Sequence, residues 1–253
     1  VFVMEQNSNN NSGKAYGLHY GWSGGHKMVA EELPDGRRQI QMGHASGSYR
    51  EADVTFKTAP LYMAFGENGL NSVSTQFQRF ISSKLKNNPA SRKPRPIHFN
   101  CWEAVYFKHS LEKLKNLAQT AAELGAERFV LDDGWFGKRN NDKTSLGDWN
   151  VDYEKYPNGL SPLIDHIKDL GLDFGIWFEP EMVNNQSELY TNHPDWILGL
   201  PDQNLGRNQL VLDMSKSEVI DYLYNCINEI LSNYEVDYVK WDHNRVLPIV
   251  EAK

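Results

Sequence analysis

Cysteine is scarce in this sequence, since only Cys101 and Cys226 occur among its 253 residues. The two are far apart and lack the paired spacing of a zinc site, which argues against both a disulfide scaffold and a cysteine-based metal site. We therefore predict no metal and no cofactor. Unpaired cysteines are typical of a reducing compartment, so we expect a cytoplasmic protein.

Runs of basic charge and long apolar runs are also missing. The chain has 33 acidic against 26 basic residues, a net charge of −7. An acidic balance without a basic run argues against nucleic acid or an anionic membrane surface as the main partner. No apolar stretch approaches the roughly 18 residues of a spanning helix, and the N-terminus shows no secretory pattern. We predict neither a nucleic acid nor a membrane as partner.

The first part of the chain is typical of antiparallel strands. Short stretches in residues 1–70 alternate apolar and polar side chains or form brief apolar runs, which predicts half-buried strands. Residues 71–96 carry one amphipathic helix, for which Asn71 and Ser72 are candidate caps, and then a linker rich in proline and cations. We place a domain boundary at this linker. The predicted strands are Gly17–Gly25, Arg38–Met42, Asp53–Thr58 and Leu61–Phe65.

Strands and helices alternate in residues 97–253. The strands are almost continuously apolar, which predicts a parallel sheet with helices packed on it. One helix is expected after Ser110, a second starts at Ser161 and Pro162, and a third follows a capping box of Ser215 and Glu218. The predicted strands are Ile97–Trp102, Arg128–Asp132, Asp173–Phe178 and Val236–Asp242.

Two sheet architectures fit this alternation, and the strand ends distinguish them. A glycine-rich phosphate loop is missing after the first strand, which opposes a doubly wound nicotinamide enzyme. Polar residues end the strands instead, and a (β/α)₈ barrel carries its chemistry at that end. A complete barrel takes about 250 residues, whereas only four βα units are found here. We expect a piece of a longer protein: an α/β fold with part of a (β/α)₈ TIM-type barrel. The strand-end residues are Glu103, Asp132, Asp133, Glu179 and Asp242.

Asp132 and Asp133 form the first candidate constellation, at the end of a predicted strand and just before Trp135. Adjacent carboxylates repel each other, so burying both is costly unless hydrogen-bond donors surround them. Sugar hydroxyls are such donors, and the indole ring offers an apolar wall. The alternative is an acidic turn that caps a helix or faces solvent.

Lys240 and Asp242 form the second constellation. They are two apart on a predicted strand, so both side chains point to the same face. A lysine beside a carboxylate keeps it ionised at neutral pH, as a glycosidase nucleophile must be. A buried structural ion pair is the alternative. His243 points away from Asp242 by strand alternation and is predicted to be a packed or surface residue.

A third constellation combines Arg207 with the segment Trp177–Met182. Arg207 offers several hydrogen-bond donors to a polyol. Glu179 and Glu181 are either a second catalytic carboxylate or structural partners of neighbouring loops, and we favour the structural role.

Taken together, these segments resemble the α-galactosidases of glycoside hydrolase family 36. Several motifs in the right order are far more specific than any one alone. The resemblance covers nearly the whole chain, and two positions depart from the family pattern, which usually has Asn at Cys101 and Met at His243. The motifs are Arg95–Phe107, Phe129–Gly137, Gly147–Trp149, Lys155–Leu160, Phe174–Met182, Arg207–Asp213 and Val239–Arg245.

The resemblance implies retaining hydrolysis of terminal α-1,6-galactosides such as melibiose and raffinose, with galactose-containing oligosaccharides as partners. Residues 1–70 would then end a β-sandwich domain, and 97–253 would form the N-terminal half of the catalytic barrel. Asp242 would be the nucleophile, and the acid/base would lie beyond residue 253. We expect this chain alone to be inactive and the full-length protein to be a homo-oligomer. The implied substrate-binding residues are Asp132, Asp133, Trp177, Arg207 and Lys240.

Two other functions stay open at this point. A transglycosylase passes galactose to a sugar acceptor with the same nucleophile. A non-catalytic carbohydrate-binding fragment is favoured by the missing acid/base.

Overall fold

The structure is a computed structural model that describes residues 1–45, 57–85, 93–200 and 203–245. The chain forms two compact units, Val1–Pro94 and Arg95–Lys253, each of which is described on its own. Most of the predicted strand at Asp53–Thr58 and of the predicted linker lies outside the described residues, and Lys57 and Thr58 belong to no strand.

The described part of the first unit consists of antiparallel strands and a helix, as predicted. Three strands form a sheet in the order β1-β2-β5, and β3 pairs with β4 in a hairpin. The predictions missed β1 and β3, and β2 ends at Tyr20 rather than at residue 25. The strands are β1 (Phe2–Met4), β2 (Ala15–Tyr20), β3 (His26–Glu32), β4 (Arg38–His44) and β5 (Leu61–Gly66).

Helix α1 (Gly69–Leu85) packs on this three-stranded sheet. Gly17 of β2 makes the close approach possible, because a Cβ atom there would lie 2.4 Å from the ring of Phe77 and 2.6 Å from Val73. The helix begins before the predicted caps, so the capping prediction was wrong. Ser72 lies inside the helix and its hydroxyl donates to the carbonyl of Gly69.

The second unit contains a four-stranded parallel sheet, which confirms the predicted α/β class. Its strands lie in the order in which the chain makes them. Because they are parallel, their carboxyl ends share one edge. A two-stranded antiparallel ribbon, β9 (Met182–Val183) with β10 (Leu210–Val211), lies in the connections. The four strands are β6 (His98–Asn100), β7 (Arg128–Leu131), β8 (Asp173–Phe178) and β11 (Tyr238–Trp241).

Helices alternate with these strands. Two capping predictions were wrong: Ser110 precedes α3 without a side-chain capping bond, and α6 begins after Lys216, while Ser215 donates to Asp213. The first predicted strand also stops at Asn100, because Trp102 already opens a helix. Among the described helices, none is long and apolar enough to cross a membrane. The helices are α2 (Trp102–Val105), α3 (Leu111–Glu123), α4 (Ser161–Asp169), α5 (Glu188–Asn192) and α6 (Ser217–Asn233), with a 3₁₀ turn at Pro194–Trp196.

The core of this unit is dense in aromatic rings. Trp135, Phe136, Trp149, Trp177 and Phe178 are all buried and lie within edge-to-face or tilted contact of one another. Such large rings remove much apolar surface from water. The rigid floor that they make lies beneath the carboxyl ends of β7 and β8.

Candidate active site

Three carboxylates lie where parallel strands end. Asp132 follows β7, Glu179 follows β8, and Asp242 follows β11. The edge that these strands share therefore gathers acidic groups from distant parts of the sequence, as the strand-end pattern predicts. Glu103 does not join them, since it lies in α2, is exposed, and accepts a hydrogen bond from Tyr106.

Asp132 is buried and surrounded by donors. Its Oδ2 atom accepts hydrogen bonds from the amide of Asn100 and, at 2.8 Å, from Nζ of Lys240. Its Oδ1 atom accepts from the backbone N–H of Asp133 at 2.9 Å. The backbone N–H of Asp132 itself reaches the sulfur of Cys101 at 3.4 Å. A carboxylate with this many donors is held in one orientation.

Asp242 is also surrounded by donors but stays partly open. Oδ2 accepts from Nε1 of Trp177 at 2.9 Å and from Nδ2 of Asn244 at 2.7 Å. Oδ1 accepts from the backbone N–H of His243 at 2.9 Å. Burial acts to raise the pKa of Asp242, but these hydrogen bonds and the charge of Lys240 lower the pKa by more, so it lies below the usual value. The carboxylate is therefore ionised at neutral pH.

Lys240 connects the two aspartates. Its Nζ atom lies 2.8 Å from Asp132 Oδ2 and 3.8 Å from Asp242 Oδ2. Burial acts to lower the pKa of Lys240, but its hydrogen bond to Asp132 and the two negative charges outweigh burial and raise the pKa. The predicted pairing of Lys240 with Asp242 on one strand face is present in the structure.

Asp133 faces a different partner from its neighbour. Both of its oxygens accept from the guanidinium of Arg139, at 2.9 and 2.8 Å. Arg139 is 2% exposed and also donates to Asn184 and to the carbonyl of Thr144. Burial raises the pKa of Asp133, and the paired guanidinium opposes that shift. The two adjacent carboxylates point to separate cations, although the charge of Asp132 still adds to the raised pKa of Asp133.

Trp177 and Arg207 occupy opposite environments. The ring of Trp177 is 1% exposed and stacks on Phe136, so it reaches the site through its indole N–H rather than as an open wall. Arg207 is exposed and forms no hydrogen bond or ion pair with the other described residues. Arg207 and Asn208 both have left-handed backbone angles, with φ of 51° and 59°, in a turn closed by Gly206 and Gln209.

Glu179 and Glu181 both accept hydrogen bonds from neighbouring elements. Glu179 is 1% exposed and accepts from Gln209 and from the backbone N–H of Asn244. Burial raises the pKa of Glu179, and the charge of Asp242 adds to the shift. Glu181 accepts from Nε1 of Trp241 at 2.9 Å. The structural role favoured from the sequence agrees with these contacts.

Sequence reasoning missed three side chains that complete the site. Asn100 ends strand β6 and Asn244 lies two residues after Asp242, and an amide next to a strand-end carboxylate is a signal that identifies such donors. Arg139 lies in an irregular loop, and no spacing pattern connects it with Asp133. Two surface grooves of about 300 and 400 Å³ lie away from these residues. At the strand ends themselves, Lys240 and Asp242 are partly exposed and Asp132 is buried beneath them.

The chain belongs to the melibiase family, because the model of that family matches residues 55–253. Similar curated proteins are α-galactosidases. The enzyme of Escherichia coli is 45% identical over 240 residues, covering 93% of this chain and 34% of that protein. The enzyme AgaA of Geobacillus stearothermophilus is 41% identical over 250 residues, covering 97% of this chain and 34% of that protein. The chain thus spans about a third of the length of these relatives.

Solved structures show the same similarity. The family 36 α-galactosidase AgaB of Geobacillus stearothermophilus matches 99% of this chain with a TM-score of 0.92 at 40% identity, and the match covers 35% of that enzyme. A variant of AgaA from the same organism, solved in complex with raffinose, matches 99% of this chain with a TM-score of 0.91 at 39% identity, covering 36% of that chain.

Proposed function

We propose that this chain carries the nucleophile and the galactose-binding edge of a retaining α-galactosidase. The observation that carries the proposal is Asp242, a carboxylate that accepts three hydrogen bonds at the end of a parallel strand and has a lowered pKa. Relatives that are α-galactosidases, and one solved with raffinose, support a substrate with a terminal α-D-galactosyl group of the melibiose or raffinose type.

In this mechanism an oxygen of Asp242 attacks the anomeric carbon and forms a covalent galactosyl ester. The bond to the departing sugar oxygen breaks as a second carboxyl group protonates that oxygen. Water then attacks the ester, with the same group taking its proton, and releases galactose with Asp242 regenerated. The configuration is retained because two inversions occur.

The neighbouring residues bind the sugar hydroxyls in this proposal. Lys240 and Asp132 offer a paired donor and acceptor beside the nucleophile, and the exposed guanidinium of Arg207 offers further donors. Asp133 contributes the acceptor capacity that Arg139 leaves, since an ionised carboxylate has about four lone-pair sites. Trp177 forms the floor and orients the nucleophile through its indole N–H.

The acid/base and the wider domain plan are part of the same proposal. Glu179 accepts hydrogen bonds at both oxygens, and Glu181 accepts one from the strand residue Trp241 while its other oxygen is buried, so we assign the acid/base to a part of the protein outside residues 1–253. The sequential strand order β6-β7-β8-β11 supports half of a (β/α)₈ barrel at 97–253. Residues 1–70 are then the end of a β-sandwich domain, and 71–96 connect the two.

The nucleophile is tested by Asp242→Asn in the full-length enzyme. The variant should keep its fold, because the amide has the same shape and Trp177 still has an oxygen to bond. It should lose nearly all hydrolysis of melibiose, because a neutral amide is not a nucleophile here. Released galactose and circular dichroism are the two measurements. Melibiose hydrolysis close to that of the wild type would refute the assignment of Asp242.

The assignment of the acid/base is tested on the 253-residue chain itself. General acid assistance contributes about 10²–10⁴-fold, and alkoxide leaving groups need it most. The chain alone should not hydrolyse melibiose, while an activated aryl α-galactoside should galactosylate Asp242 slowly, as seen by mass spectrometry. Efficient melibiose turnover by this chain would place the acid/base within it, with Glu179 and Glu181 as the residues to test.

A further inference from the structure

The buried carboxylate of Glu179 lies between two loops of the candidate active site. Its Oε2 atom accepts a hydrogen bond from Nε2 of Gln209 at 3.0 Å, and its Oε1 atom accepts from the backbone N–H of Asn244. We infer that Glu179 is a positioning residue that fixes the Arg207 turn and the Asp242 loop relative to each other. The inference rests on the proposed function, since it concerns the groups that bind and attack galactose.

The first connection leads to the nucleophile. Asn244 donates through its side chain to Oδ2 of Asp242 at 2.7 Å, and its backbone N–H is bound to Glu179. The hydrogen bond from Glu179 therefore holds the residue that orients one nucleophile oxygen. Without it, the backbone N–H of Asn244 would lose its acceptor in a partly buried position, which is costly.

The second connection leads to the sugar-binding guanidinium. Gln209 is 3% exposed and closes the turn in which Arg207 and Asn208 have positive φ angles. Non-glycine residues in this region are strained, so a turn containing two of them needs outside support. Asn184 supplies part of this support through a 2.7 Å bond to the carbonyl of Asn208, and Asp142 accepts from the Asn208 side chain at 3.3 Å. Glu179 supports the turn from its other end through Gln209.

Variants of the full-length enzyme separate the two connections. Glu179→Met has nearly the same size and removes both. Gln209→Met removes the connection to the Arg207 turn and leaves the one to Asn244. Glu179→Gln is the conservative variant, because its side-chain oxygen still accepts from Asn244. Its new amide N–H faces Gln209, whose own Oε1 atom is buried without a partner in the described part of the chain. When the side-chain amide of Gln209 rotates, this Oε1 atom accepts the new N–H.

Asp237→Ala is the matched control for stability. Asp237 also joins two elements through one carboxylate, accepting from the backbone N–H of Phe174 at 2.8 Å and from Nζ of Lys168. It lies at the amino end of the sheet, away from the strand ends that carry the site. This variant should lower the melting temperature without changing substrate affinity.

The readouts are kcat and KM for an aryl α-galactoside, the inhibition constant of free galactose, and the melting temperature. Gln209→Met should raise KM and the galactose inhibition constant about 10-fold, with kcat within about twofold. Glu179→Met should show the same loss of affinity and also a kcat about 10-fold lower. Glu179→Gln should return both parameters to within about threefold of the wild type.

Two results would overturn the inference in distinguishable ways. If the wild-type enzyme hydrolyses the galactoside but Glu179→Met changes only the melting temperature, as Asp237→Ala does, Glu179 is structural and the proposed function stands. If the wild-type enzyme neither hydrolyses the galactoside nor binds galactose, the proposed function fails and the inference fails with it.

Discussion

At the scale of single residues, the neighbouring aspartates Asp132 and Asp133 differ because each pairs with a different cation. Asp132 shares Lys240 with Asp242, the proposed nucleophile, whereas Asp133 is bound on both oxygens by the buried Arg139. On the proposed mechanism, the charge that acts on the nucleophile is therefore that of Lys240, which faces Asp132 on one side and Asp242 on the other. Glu179 adds a further carboxylate nearby, and its pKa is raised by burial and by the charge of Asp242.

Replacing Lys240 by Met should move the acidic limb of the pH profile. On the proposed mechanism Asp242 must be ionised to attack, and its pKa is depressed in the folded protein by its hydrogen bonds and partly by this charge. Without the lysine, the pKa of Asp242 rises. When the pH is lowered, the variant therefore loses activity at a higher pH than the wild type does. We also expect kcat/KM at neutral pH to drop about 10- to 100-fold, since a hydrogen bond between charged groups is lost. The measurement is kcat/KM for an aryl α-galactoside against pH.

Lys168→Met is the control for this experiment. Lys168 also pairs with two carboxylates, Glu235 and Asp237, but at the amino end of the sheet. The same loss of charge there should leave the acidic limb where it is in the wild type. An acidic limb that does not move in Lys240→Met would show that the lysine does not tune the nucleophile.

At the scale of elements, two serines that precede helices differ in what they contribute. The hydroxyl of Ser187 accepts from the backbone N–H of Tyr190 at 3.0 Å, beside Asp148, which accepts from the N–H groups of Glu188 and Leu189. Ser110 stands at the same position before α3 with no side-chain bond to the helix. The residue type is the same, and only one of the two caps its helix.

Ser187→Ala should therefore destabilise α5 locally, by about 1 kcal/mol, while Ser110→Ala should change α3 by a few tenths at most. Amide hydrogen exchange measured by mass spectrometry reports on each helix separately. We expect exchange around Tyr190 to become about fivefold faster in the first variant and exchange in α3 to stay unchanged in the second. Equal effects of the two substitutions would contradict the difference in capping.

Elements buried on both faces could be predicted from the sequence, and those fixed by local contacts could not. The strand Asp173–Phe178 has the predicted bounds because its apolar run has no alternative to burial. Caps depend on side-chain rotamers that a sequence pattern does not specify, as Ser110 and Ser215 show. The pair Lys240 and Asp242 followed from strand alternation, whereas the contact of Arg139 with Asp133 depends on the path of a long irregular loop.

At the scale of the whole molecule, two surfaces are open that folded proteins usually cover. In the first unit, Leu61, Met63 and Phe65 lie on one face of β5 and are 47%, 70% and 46% exposed, with Tyr16 beside them. In the second unit, the edge strands β6 and β11 each have a single neighbour among the described strands. Exposed apolar faces and unpaired strand edges both promote association.

The 253-residue chain on its own should therefore self-associate in solution. Sedimentation velocity should show a mass that rises with concentration, because apolar faces and open edges pair between copies. Placing Lys at Met63 and Phe65 together should shift the distribution towards monomer, since burying two unpaired charges opposes contact at that face.

Leu124→Lys is the control for this experiment. Leu124 follows the end of α3, is 82% exposed and lies outside both surfaces, so its replacement should leave association unchanged. A monodisperse monomer of the unaltered chain at all concentrations would contradict this prediction, and with it the proposal that 97–253 is half of a barrel completed by further strands.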